Sequence, residues 1–242
     1  MISVRRAEAR RHDRRHQRDI WRTFDPRDRA NPIDSGFGAL ELLDEGRLPP
    51  SAPIPQQPRG DAEIVTYVRE GAVAYEDAMG CSGVIRAGEF QRMTAVDGMR
   101  HGEANASRTA WAHVLQIRLR PSLLRLEAAR EQKRFSVAER RGGLRIVASP
   151  DAQRGSLRLR QDARIYSALL ERGQHVVHEL LHGRGAWLHL VHGQLNLGDL
   201  VLTTGDGAAI TAERAVSLTA REETEILLVD LDTLDTAARS SG

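Results

Sequence analysis

Short apolar runs recur along this chain, and turns carrying glycine or proline separate them. The first is Ala39-Leu40-Glu41-Leu42-Leu43, and the runs over 63–68, 72–75, 84–90, 93–96 and 112–119 follow it. Runs this short, bounded by turn residues, predict strands rather than helices. Segments 144–148, 156–159 and 165–170 continue the pattern in the second half. Strands at spacings near ten residues predict an all-β barrel or sandwich. Two stretches break the rhythm. Residues 44–58 hold Pro49, Pro50, Pro53, Pro55 and Pro58, which forbid helix and interrupt sheet, so a loop across a barrel mouth is expected there. Residues 122–134 place Leu123, Leu124, Leu126, Ala128 and Ala129 among charged residues with no internal glycine or proline, which predicts a helix joining two halves.

The second half repeats the first. Val191-His192-Gly193-Gln194-Leu195-Asn196-Leu197 mirrors Arg69-Glu70-Gly71-Ala72-Val73-Ala74-Tyr75, and the segment 204–210 mirrors 87–93. Each half closes on a long apolar strand, 114–119 and 225–231. A tandem repeat of one barrel accounts for this. The expected domains are 1–134, an N-terminal barrel with the connector helix; 135–236, a C-terminal barrel; and 237–242, a flexible tail.

Composition narrows the class. A hydrophobic fraction of 40% and a charged fraction of 28% suit a globular protein with an ordinary core. The ten arginines between residues 5 and 29 suggest a basic arm, but Glu8, Asp13, Asp19, Asp25 and Asp28 are interleaved with them, and the formal net charge is only +2. With 4% aromatic residues to stack on bases, a solvated edge strand and loop is the expected reading, and nucleic acid is not the expected partner. The single cysteine, Cys81, cannot form an internal disulfide and fits a reducing compartment. No run of about 18 apolar residues suggests a membrane span, and the start lacks an apolar signal region, so a cytoplasmic location is expected.

The candidate chemistry lies at Gly98-Met99-Arg100-His101-Gly102-Glu103-Ala104-Asn105. On an extended strand His101, Glu103 and Asn105 point the same way, which sets an imidazole beside a carboxylate. That is half of a metal site or half of an acid–base pair, with Glu103 as the candidate general base. A second histidine cluster, His175, His178, His182, His189 and His192, lies among residues that suit a strand and turn. His175 and His178 then face opposite sides, and hydrogen-bonded histidines are expected there rather than ligands.

Several motifs carry a family resemblance: Trp21-Arg22-Thr23-Phe24, Gln57-x-Arg59-x3-Glu63, the stretch from Thr66 to Gly71, Ala87-Gly88-Glu89-Phe90-Gln91 and His101-x-Glu103. Glu131-Gln132-Lys133-Arg134-Phe135 and Ser149-Pro150-Asp151-Ala152 extend it. In order and through most of the chain, they resemble the pirin branch of the cupins. The resemblance implies two tandem cupin (double-stranded β-helix, or jelly-roll) barrels with a short helical connector. Pirins usually hold iron in the N-terminal barrel through His-x-His on one strand and His-x-Glu on another. The second pair is kept as His101 and Glu103, whereas Gln57 and Arg59 replace the first. Gln57 is a poor neutral donor, and the Arg59 guanidinium has no lone pair to give and repels a divalent cation.

The expectation is therefore a pirin-like bicupin with a vacant site and no cofactor, acting as a binder of a small molecule in the N-terminal barrel or of a protein partner. The second barrel is expected to be closed as a metal site. The alternative is an enzyme with altered ligation, a quercetin 2,3-dioxygenase-like oxidoreductase holding a divalent metal such as iron.

Overall fold

A computed structural model of the chain describes residues 1–15, 18–24, 35–54, 60–77, 80–96, 101–122 and 127–233. It forms two compact units, one of Arg11–Gly36 with Leu40–Phe135, the other of Met1–Arg10, Phe37–Ala39 and Ser136–Gly242. In chain order, β1 (Ile2–Arg5) precedes ten strands of the first unit: β2 (Arg11–Arg15), β3 (Arg18–Arg22), β4 (Leu40–Leu48), β5 (Ala62–Glu70), β6 (Ala72–Asp77), β7 (Ser82–Arg86), β8 (Glu89–Ala95), β9 (His101–Asn105), β10 (Ala112–Leu119) and β11 (Ala129–Arg134). After a single helical turn, α1 (Val137–Arg140), come β12 (Arg145–Ser149), β13 (Leu157–Arg158), β14 (Ala163–Leu170), β15 (His175–Glu179) and β16 (Arg184–His192). The chain then runs through β17 (Gln194–Leu197), β18 (Leu200–Thr203), β19 (Gly207–Ile210), β20 (Ala215–Ala220) and β21 (Thr224–Asp232).

Each unit pairs a large sheet with a small one. In the N-terminal unit a seven-stranded sheet of order β11-β8-β5-β10-β4-β3-β2 faces a three-stranded sheet of order β7-β6-β9. Ile20, Leu48, Val68, Ala112 and Val114 from the first meet Val73 and Ile85 from the second. Burying these apolar faces against each other closes the barrel. The C-terminal unit repeats the plan with β1-β19-β16-β21-β14-β12-β13 over β15-β20-β17-β18. Its interior is filled by leucine, isoleucine, valine and alanine, among them Leu188, Leu190, Leu195, Leu218 and Leu228, none more than 2% exposed.

The turn glycines explain the repeat. Gly71 (φ 75°) and Gly193 (φ 93°) carry the chain from the large sheet to the small one in the two units, and Gly88 (φ 81°) and Gly205 (φ 87°) carry it back before β8 and β19. A Cβ at Gly71 would sit 2.6 Å from the Trp111 carbonyl oxygen, and one at Gly193 would sit 2.3 Å from that of Glu223. Only glycine fits both the left-handed backbone and the close approach.

Three expectations change. The first ten residues do not join the N-terminal barrel: β1 pairs antiparallel with β19. Asp206 explains the docking, since its buried carboxylate accepts hydrogen bonds from Arg6 Nη1 (2.8 Å), the Ala7 amide (2.8 Å) and the Thr203 amide (2.9 Å). The loop expected over 44–58 begins only at Pro49, because Asp44 to Leu48 stay in β4 between β3 and β10. Finally, the expected helix over 122–134 contains β11, paired along its length with β8. Arg130 and Gln132 find polar partners inside the barrel there, and this pairing outweighs local helix propensity. The short helical connector is α1 instead, capped by reciprocal Ser136–Glu139 hydrogen bonds.

The arginines of β2 and β3 lie on a paired, charge-compensated sheet edge. Arg14 and Arg22 lie within ion-pair distance of Asp19 and of Asp13 and Asp44, respectively, and His12 stacks on Trp21. Among the described residues no helix is long and apolar enough to cross a membrane.

Candidate metal centre

The site is built on β9. One edge of this strand pairs with β6, which sets Tyr75 opposite Glu103 and Asp77 opposite His101. The other edge is held by the proline-rich segment: the Ile54 amide donates to the Glu103 carbonyl (2.8 Å), and the Asn105 amide donates to the Ala52 carbonyl (2.9 Å). The strand is thus fixed on both sides. His101 is half-buried and Glu103 is buried, and their alternation turns both side chains to one face. Asn105 shares the face but not the chemistry. Its side-chain nitrogen donates to the carbonyls of Leu48, Pro49 and Ala110, so it ties the end of β4 to the turn after β9.

Glu103 is held from across the barrel. Gln116, at the centre of the large sheet on β10, donates from Nε2 to Glu103 Oε2 at 2.6 Å and to Thr66 Oγ1 on β5 at 3.2 Å. Burial pushes the Glu103 carboxyl above its ordinary value, and the opposing pulls of His101, the Gln116 hydrogen bond and the Arg130 charge do not cancel it. Arg130 lies over the Tyr75 ring, 4.1 Å from its centroid, 3.6 Å from Asp77 Oδ2 and hydrogen-bonded to Gln91 Oε1 at 2.6 Å. Tyr75 lies flat across Gly83 of β7, where any Cβ would meet the Tyr75 hydroxyl at 2.5 Å. An open cleft of about 560 Å³, bordered by Tyr75, Ser82, Gly83, Val84 and Glu103, leads to this edge.

The donor chemistry fits a first-row divalent metal as an imidazole–carboxylate pair. A buried carboxylate whose proton affinity is raised, with one hydrogen-bonded oxygen and an imidazole two residues away, is a group that a divalent cation would satisfy. Among the described residues there is no cluster of three or more candidate ligands, so His101 and Glu103 are the donors that the described barrel supplies. Gln57 and Arg59 lie outside the described residues.

The second histidine cluster is dispersed. His175 and His178 are on β15 and face opposite sides: His175 Nδ1 meets Thr219 Oγ1 at 3.0 Å, and His178 Nε2 meets Asp230 Oδ2 at 2.8 Å. Cys81 is an exposed thiol on the turn before β7, where its amide donates to Asp77 Oδ1. Sequence reasoning missed Gln116, Arg130 and Tyr75. A signal existed for the first, a glutamine between Leu115 and Ile117 in a strand whose residues are all buried, where a polar side chain must find a partner.

Comparison with known proteins agrees with this geometry. Residues 3–119 match the family model described as Pirin, and residues 146–231 match the quercetinase C-terminal cupin domain. The chain is 36% identical over 231 residues to quercetin 2,3-dioxygenase of Escherichia coli K12, covering 96% of this chain and 99% of that protein. The crystal structure of YhhW from Escherichia coli superposes with a TM-score of 0.89 at 35% identity, covering 97% of this chain and 99% of that one. A second structure, bacterial pirin YhhW in complex with nickel(II), gives 0.88 at 35% identity, with 97% and 100% covered. That complex corrects the expectation of a barrel without a cofactor. A relative matching this chain along its whole length carries a divalent metal, so the replacements at Gln57 and Arg59 do not justify inferring a metal-free family member. By its motifs, its two matched domains and its full-length relatives, this chain belongs to the pirin family of bicupins.

Proposed function

We propose that the chain is a metal-dependent oxidoreductase of the quercetin 2,3-dioxygenase type, with its active centre in the N-terminal barrel and a small aromatic molecule as its substrate. The observation that carries this reading is the His101–Glu103 pair on β9, fixed by the Gln116 hydrogen bond at the edge of an open cleft. His101 and Glu103 would hold the divalent metal, which would supply Lewis-acid chemistry to the substrate. In the metal-free barrel Glu103 is the group that would accept a proton from a substrate hydroxyl, since burial raises its proton affinity there. The Tyr75 ring, lying between the Arg130 guanidinium and Gly83, borders the cleft beside Glu103.

Oxygen uptake by the nickel- or iron-loaded protein with quercetin tests the reading. Uptake is expected from the parent and is expected to fall at least a hundredfold in Glu103→Gln and His101→Ala. A metal-loaded parent that consumes no oxygen with quercetin or a related flavonol would refute it.

A further inference from the structure

We infer that Gln116 is the positioning residue of the metal centre, the group that holds the Glu103 carboxylate in the orientation that a metal requires. The inference rests on the proposed metal site and deepens it. Gln116 is 4% exposed and sits on β10, whose Cα partners at that level are Thr66 of β5 and Asp44 of β4. A strand paired on both sides is a rigid base. Glu103 belongs to the other sheet, so the 2.6 Å contact from Gln116 spans the barrel from its large sheet to its small one.

The amide orientation follows from chemistry. An ionised carboxylate and a hydroxyl oxygen lie within reach of one side-chain atom, and the carboxylate can only accept. The amide nitrogen, with two hydrogens, serves both, one to Glu103 Oε2 and one to Thr66 Oγ1. A nitrogen pinned at two points cannot swing, and Oε2 is pinned with it. The carboxylate plane is then set before any cation arrives, and Oε1 remains for the cation beside His101. A neutral donor is the suitable choice, since a lysine or arginine at this position would compete with the metal for Glu103.

The test is calorimetric titration of the full chain with nickel(II), comparing the parent with Gln116→Met, Gln116→Asn and Thr66→Val, each checked for its metal-free melting temperature. Gln116→Met keeps the length and apolar volume but removes the donors. Gln116→Asn keeps the amide but withdraws it by one methylene, and it serves should the methionine variant fail to fold. Both Gln116 variants are expected to weaken nickel binding about 10–100-fold. Thr66→Val, which leaves the Glu103 contact in place, is expected to cost less than about threefold. The absorption spectrum of the cobalt(II)-loaded variants is expected to shift from that of the parent, which a merely structural glutamine would not cause. A parent that binds nickel while the Gln116 variants match its affinity and spectrum overturns this inference alone. A parent that binds no nickel overturns the reading of the site and this inference with it.

Discussion

Glu103→Gln should stabilise the metal-free protein while removing its metal site, and the two effects can be weighed. Placing a carboxylate in the barrel costs several kcal/mol of effective desolvation, and a hydrogen bond to a charged group returns about 1.5–3 kcal/mol. The His101 charge, which outweighs that hydrogen bond, and the weaker Arg130 charge add to the attraction, and the carboxyl still lies above its ordinary value. The charged carboxylate is then a net burden near pH 8, which the amide does not carry. Each kcal/mol of that difference corresponds to about 2–4 °C in melting temperature for a chain of this length. The sign with pH follows from the raised folded-state value. Below the unfolded value of about 4.3 the carboxyl is protonated in both states and the burden is absent. It grows as pH rises through the folded value, so the advantage of Glu103→Gln should open between acid and neutral pH. Nickel acts in the opposite direction. At 100 times its Kd it stabilises the parent by about 2.7 kcal/mol and the variant by nothing. Thermal unfolding at pH 4 and pH 8, with chelator and with nickel, reads all four states. A metal-free variant less stable than the parent at pH 8 would refute the reasoning.

Other outcomes follow from single contacts and residue types. Asp206→Ala removes the acceptor of four hydrogen bonds and should cost about 2–3 kcal/mol by urea unfolding, whereas Glu213→Ala, at an exposed pair with the N-terminal amine, should stay within about 0.5 kcal/mol. Burial works to raise the Asp230 carboxyl, but hydrogen bonds from His178 and Arg184 outweigh it and hold it below its ordinary value. Its stabilisation is therefore present above the unfolded value of about 3.9 and lost as pH falls through the folded one, and Asp230→Asn should flatten that acid limb in a urea-midpoint series. Gln57→His with Arg59→His should tighten nickel by well over tenfold in calorimetry, since two imidazole donors enter and a cation leaves. Either change alone should do less.

The sequence disclosed what depends on local rules and concealed what depends on pairing. Gly71 and Gly193 exposed the repeat because a left-handed turn against a neighbouring carbonyl admits no other residue. His101 and Glu103 were visible because strand alternation follows from the backbone alone. By contrast, Ala129 to Arg134 carries no β-branched or aromatic residue, and its strand exists because β8 has a free edge for it. That error hid Arg130, whose partners Asp77 and Gln91 lie about 40–50 positions earlier in the chain. β1 was misplaced for a similar reason, as neither its composition nor its spacing reveals that Asp206 waits about 200 residues away. The inference of an empty site failed differently. It treated two replaced ligands as decisive, when metal affinity depends on the whole donor set and the groups that orient it.

Anomalous diffraction at the nickel edge, from crystals of the nickel-loaded parent, tests the central claim most directly. One peak in the N-terminal barrel is predicted, within about 2.0–2.2 Å of both a His101 ring nitrogen and a Glu103 carboxylate oxygen. A peak elsewhere, such as beside His175 or His178, or no peak in a crystal soaked to saturation, would contradict it.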